Sequence, residues 1–145
     1  MGTILIRLEY EVYMHTWSSE VRDYEVDFQG IVNNAVYLNY LQQARAEYFL
    51  EQGHDVVAIA HEGINIVLFE TTLKFKHSLR FRDNFTVKSE LFRISHFKFL
   101  MQQTIINTKT GEICLEAKNY LCCVDVKTNK PCLHTALEKI SIVEK

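Results

Sequence analysis

The sequence predicts an α+β fold in which one long α-helix is covered by an antiparallel sheet of five or six strands. Two changes of period carry this expectation. Residues 35–52 place Tyr37, Leu41, Ala44 and Tyr48 at spacings of four, three and four, with Val36 and Tyr40 widening the stripe and Gly53 closing it. Beyond the helix, residues 64–76, 84–95, 97–107 and 112–125 are rich in β-branched and aromatic side chains, and each is bounded by polar or turn residues. The third observation is a scarcity. Pro131 is the sole proline and glycine is rare, so no stretch reads as a linker and residues 1–145 read as one domain.

In chain order, residues 20–26, containing VRDYEV, alternate and put Arg22, Tyr24 and Val26 on one face of a predicted strand. Residues 10–14 extend or precede it. The helix is expected to run about five turns and to be buried along its apolar stripe. In the strand over 97–107, Phe97, Phe99 and Met101 share a face. In the strand over 112–125, Ile113, Leu115, Ala117, Leu121 and Cys123 do so. Thr108, Lys109, Thr110 and Gly111 form the tight turn between these two strands.

Composition excludes several classes of function. A net charge of -2 and a pI near 6.3 disfavour nucleic acid as a partner. The apolar run near the N-terminus is too short for a signal peptide, and no stretch reaches the roughly 20 apolar residues of a membrane span. A cytoplasmic protein is the expectation. Cys114, Cys122, Cys123 and Cys132 contain no C-x-x-C pair and are expected as free thiols. The six histidines show no ligand spacing, so no metal is expected. There is no G-x-S-x-G, which argues against a serine hydrolase.

The stretch DFQGIVNNAVY, Asp27 to Tyr37, stands where the strand pattern hands over to the helix. Asn33 or Asn34 serves as the helix cap, but Asp27 lies too early for that task. On spacing alone, Asp27 is either a turn residue or a working carboxylate. The surroundings add more. VRDYEVDFQGIVNNAVYLNYLQQARAEYF is similar to the signature of the 4-hydroxybenzoyl-CoA thioesterase family, which reads as strand, acid, x-x-Gly-hydrophobic-Val, then a helix with a Tyr and an Ala-Arg pair. TTLKFKHSLRFRDNFTVKSEL resembles the same family's strand, loop, aspartate and next strand, with Ser78 where relatives often have proline.

This resemblance implies a hotdog fold, a sheet wrapped around one central helix, and hydrolysis of an acyl thioester carried by coenzyme A or by an acyl carrier protein. It implies Asp27 as nucleophile or general base and the Asn34 amide as oxyanion donor, at a helix N-terminus where unpaired amides favour developing negative charge. Asn34 departs from relatives that carry His or Tyr there. Gly30 lets the backbone turn beneath the substrate, and Asn33 begins the helix. Phe28, Val32, Tyr37 and Tyr40 are the nearest residues to line an acyl pocket, or are plain core. Glu47 and Glu51 lie too far along the helix to replace Asp27. Lys74, Lys76, Arg80 and Arg82, with Arg93 and Lys98, either meet phosphates or an acidic carrier surface, or form a solvated rim. No cofactor is implied beyond the coenzyme A of the substrate, and a homodimer or homotetramer is expected, since one helix cannot cover such a sheet. The rival readings are a dehydratase or isomerase on carrier-bound chains and a non-catalytic acyl-thioester-binding module.

Overall fold

The computed structural model describes residues 13–140 and 142. The first strand, β1 (Met14–Glu20), precedes the long helix α1 (Asn34–Glu51) and the short helix α2 (Val56–His61). Then come β2 (Ile64–Phe75), β3 (Asn84–Arg93), β4 (Phe99–Asn107) and β5 (Ile113–Asp125). A two-residue β6 (Pro131–Cys132) and a last turn of helix, α3 (Thr135–Glu138), complete the order. The strands form one antiparallel sheet in the order β1-β3-β4-β5-β2, with β6 paired to β5. This is the expected hotdog arrangement, and α1 supplies the expected five turns.

Alternation decides which residues reach the helix. Phe85, Val87 and Leu91 of β3, Phe99, Met101 and Ile105 of β4, and Leu115, Ala117 and Leu121 of β5 are buried beneath it. Tyr37, Tyr40, Leu41, Ala44, Tyr48 and Phe49 of α1 face them. Tyr40 and Phe85 pack ring to ring at 4.3 Å, and Trp17 of β1 closes on Phe85 at 5.7 Å. The buried apolar residues divide into two groups, one around Val32, Tyr37 and Phe85 and the other around Tyr48, Phe99 and Leu121.

Three expectations are corrected. Residues 20–26 are not a strand: β1 ends at Glu20 and Asp23–Glu25 form a 3-10 turn. The Glu25 carboxylate accepts from the Arg22 amide at 2.8 Å and from its guanidinium at 3.3 Å, which closes the turn and leaves Tyr24 79 % exposed. The alternation of VRDYEV thus came from a turn. Of the residues expected to precede it, Met14 opens β1, Tyr13 stands just before that strand, and 10–12 lie outside the described residues. Phe97 belongs to the turn before β4, and Ile113 is exposed because a bulge opposite Ile105 and Ile106 shifts the face, so that Cys114 and Leu115 are both buried. The helices α2 and α3 and the strand β6 were not foreseen; each is too short to show a period. All four cysteines are free.

Candidate active site

Asp27 sits in a loop fastened at both ends. Val26 bridges Val32, Ile31 bridges Arg80, and the Val32 amide donates to the Leu79 carbonyl at 2.8 Å. Within the loop, the Asp27 amide donates to the Ile31 carbonyl and the Gly30 amide to the Asp27 carbonyl, both at 2.9 Å. Gly30 has φ +81°, the left-handed region that a side chain disfavours, which is why glycine suits the position. The Asp27 side chain accepts from the Gln29 amide through Oδ1 at 2.8 Å. It therefore does what a turn aspartate does. Its Oδ2 has no protein donor among the described residues, and the residue is half-buried.

The helix start is held from the same side. Asn33 is the cap: its Oδ1 accepts from the Ala35 amide at 3.0 Å, and its own amide donates to the Glu25 carbonyl at 3.0 Å. Asn34 is the first helical residue, and among the described residues nothing accepts from its amide. That amide stands at the positive end of an 18-residue helix. The Asn34 side chain is exposed.

Beneath the loop lies Glu25, buried and missed by the sequence reading. It accepts from the Tyr40 hydroxyl at 2.9 Å, which ties the helix body to the acid loop. Burial, with this bond to a carboxylate, raises the Tyr40 pKa, so the phenol remains a neutral donor. The one signal in the sequence was a carboxylate two residues before Asp27. Tyr37 accepts from the Leu79 amide at 3.0 Å, and burial raises its pKa too.

Of the residues named as pocket lining, Val32, Tyr37 and Tyr40 are fully packed in the core, and Phe28 is 96 % exposed. Within one chain, these four do not enclose a chamber. A cavity of about 270 Å³ opens elsewhere, on the sheet face turned away from the helix, lined by Thr72, Lys74, Gln102, Thr104, Glu116 and Lys118. Its lining includes neither the acid loop nor the helix start, so its size has no bearing on Asp27.

The basic residues divide by position. Arg80 lies against the acid loop through its bridge to Ile31, and Arg82, at φ 68°, lays its guanidinium over Phe81 at 5.1 Å. Lys76 pairs with Glu116 at 3.8 Å, and Lys98 lies over the Tyr120 ring at 4.9 Å. Arg93 is not part of a rim: it is buried and donates to the carbonyls of His96, Glu138 and Ile140, pinning the end of α3. His15 pairs with Glu51 and His134 with Glu62, both at 2.9 Å. Among the described residues, no three His, Cys, Asp or Glu side chains gather as a metal site would require.

The site can therefore offer a free carboxylate oxygen and an unpaired helical amide on two segments locked to each other. The pattern that defines the thioesterase-like superfamily matches residues 21–136. The chloroplastic acyl-acyl carrier protein thioesterase ATL3 of Arabidopsis thaliana is 36 % identical over 113 residues, 78 % of this chain and 60 % of that protein. The chain thus spans about 60 % of the length of this relative. The long-chain acyl-CoA thioesterase FadM of Escherichia coli is 27 % identical over 111 residues, 77 % of this chain and 83 % of that one. In fold, the chain is similar to Slr0204, a 1,4-dihydroxy-2-naphthoyl-CoA thioesterase from Synechocystis, with a TM-score of 0.83 at 15 % identity over 88 % of this chain and 95 % of that one. The superfamily match begins at the end of β1 and runs into α3, through both the acid loop and the sheet, and this protein belongs to the thioesterase-like superfamily.

Proposed function

We propose that the protein hydrolyses an acyl thioester to a free acid and a thiol, with Asp27 and the Asn34 amide as its working groups. One observation carries the reading: an uncommitted Asp27 carboxylate oxygen and an acceptor-free Asn34 amide sit on two segments joined by the Asn33-to-Glu25 bond. The thioester carbonyl oxygen accepts from the Asn34 amide, which stabilises the charge that gathers there. Asp27 then acts in one of two ways. It attacks the carbonyl carbon, expelling the thiolate and leaving a mixed anhydride that water opens, or it takes a proton from the water that attacks. Either route consumes one water and needs no metal or redox group. Gly30 and Asn33 shape the approach, the exposed Phe28 borders it, and Val32 and Tyr37 support the loop and helix start from the core beneath.

The relatives act on both kinds of thiol carrier, an acyl carrier protein for ATL3 and coenzyme A for FadM, which supports an acyl thioester as the substrate of this chain. Arg80 lies beside the acid loop through its bridge to Ile31, and with Arg82, two residues on, it is a natural partner for a carrier's phosphate. The working form is a homodimer, alone or paired into a homotetramer. The edge strand β2 leaves Leu68, Phe69 and Phe75 exposed, and a second copy would cover them. Thiol release from a panel of acyl-CoA and acyl-carrier-protein esters tests the reading. Release well above the uncatalysed rate is expected for at least one class, whereas tight binding without release would mark a non-catalytic module.

A further inference from the structure

Two sets of polar side chains interrupt the apolar interior between helix and sheet. One is a row that runs from buried Ser89, Gln103 and Asn119 out to Thr71, each member bonded to its neighbour across the strands. The other is Glu25 with Tyr40, and it lies at the candidate active site.

Glu25 collects bonds from three directions. Its Oε1 accepts from the Tyr40 hydroxyl at 2.9 Å and from the Arg22 amide at 2.8 Å, and its Oε2 accepts from the Arg22 guanidinium at 3.3 Å. Its backbone carbonyl accepts from the Asn33 amide at 3.0 Å. One residue is thus fixed to the helix cap through its main chain and to the helix body through its side chain, and Asp27 follows two residues later. The Tyr40 end is equally confined. Its ring lies 4.3 Å from Phe85 and edge-on to Tyr37 at 6.0 Å, and its hydroxyl, held well above the ordinary tyrosine pKa by burial and by the carboxylate, stays protonated as the donor.

A buried carboxylate is a costly way to fill a core, because apolar side chains of the same volume occupy such a space without losing hydration. What it adds is direction. The Asn33-to-Glu25 bond alone would leave α1 free to pivot about its start, and a pivot there turns the Asn34 N–H away from the point where negative charge gathers. Tyr40 stands six residues past Asn34, roughly 9 Å along the axis, so a bond at that distance fixes the angle. On the other side, Tyr37 ties the helix through the Leu79 amide to the far end of the acid loop, where the Leu79 carbonyl accepts from Val32. The bond between Glu25 and Tyr40 is the tie on the acid's side.

We propose that Glu25 and Tyr40 are positioning residues for thioester cleavage: their bond sets the direction in which the Asn34 amide faces the Asp27 carboxylate. Neither touches the substrate. The proposal rests on the reading that Asp27 and the Asn34 amide are the working groups.

The test measures kcat, KM and Tm for Tyr40→Phe, Glu25→Met and Glu25→Gln, with dodecanoyl-CoA, or the ester of the panel that the wild type cleaves fastest, as the probe. Tyr40→Phe keeps the ring between Phe85 and Tyr37 and removes only the hydroxyl. It should lower kcat roughly tenfold to a hundredfold, the cost of a small misplacement of reacting groups, with KM within about twofold. Glu25→Met should do the same, and the double variant should lose no more than either single one, because both break one bond. Glu25→Gln keeps an oxygen for the Tyr40 hydroxyl and the Arg22 amide and should recover most of the loss. A merely structural pair would lower Tm and leave kcat per folded molecule unchanged, which overturns the proposal, as do losses that multiply in the double variant. Single-turnover release in an Asp27→Asn background separates the two readings. There, adding Tyr40→Phe should slow release little further, and a full further loss would show that Tyr40 acts by another route and overturn the proposal alone. Wild-type release by Asp27→Asn itself would overturn the catalytic reading and the proposal with it.

Discussion

At the scale of single residues, the structure separates side chains that hold the site from groups that are free to act. Asn33 spends its side chain on the Ala35 amide, so Asn33→Ala should cost about 1 kcal/mol of stability, seen as a fall of a few degrees in Tm. Asn34 offers only its backbone amide, and Asn34→Ala should leave both Tm and turnover close to wild type. A severe rate loss without a change in Tm would show that its exposed side chain takes part. Burial raises the pKa of all four thiols and pushes Cys123 up to about 11. The thiolate is the reactive form, so at pH 8 the native protein should react slowly with iodoacetamide and the unfolded protein rapidly. Fast labelling of one cysteine in the native state would contradict its placement. Asp27, Gly30 and Asn33 were legible because their spacing from the helix start is fixed by local hydrogen bonds. Glu25 was not, since its partner Tyr40 lies fifteen residues on and only the packed fold joins them.

At the scale of elements, the helix was readable almost to the residue, because an 18-residue stripe, an asparagine cap and a glycine stop all agree. The stretch before it misled, because a turn closed by Glu25 has the same polar and apolar alternation as a short strand. Bulges limited the strand faces in the same way: one extra residue opposite Ile105 and Ile106 changes which side chains point inward, and no local signal marks it. Gln103 and Asn119 fell on faces that were otherwise apolar, a signal visible in the sequence but without meaning until the strands were paired. Gln103 joins Arg45, Ser89, Asn119 and the Leu41 carbonyl at once, so Gln103→Leu strands several buried partners. It should cost about 2–4 kcal/mol, the sum of more than one unsatisfied group. Denaturant unfolding measures this, and a change below about 0.5 kcal/mol would show that the row contributes little.

At the scale of the whole molecule, a sheet of this width with its helix on one face leaves an edge strand open. β2 leaves Leu68, Phe69 and Phe75 exposed. A second copy placed there would cover them, so activity should fall as the protein is diluted below the dimer's dissociation constant, with light scattering reporting the state. Full activity in a monomer would show that one chain builds the whole site. The order of elements and the family resemblance were legible at this scale, because they depend on pattern and spacing over long stretches. The buried polar row of Ser89, Gln103, Asn119 and Thr71 was not, because its members come together only once four strands have paired. The central claim is that thioester cleavage depends on the Asp27 carboxylate while the fold does not. The measurement that tests it most directly is single-turnover thiol release by Asp27→Asn, with Tm and ester affinity read on the same sample. The account predicts near-native Tm and affinity with release slowed about 10²–10⁴-fold, the loss expected for removal of a base or nucleophile. Release at the wild-type rate from a folded Asp27→Asn protein would contradict it.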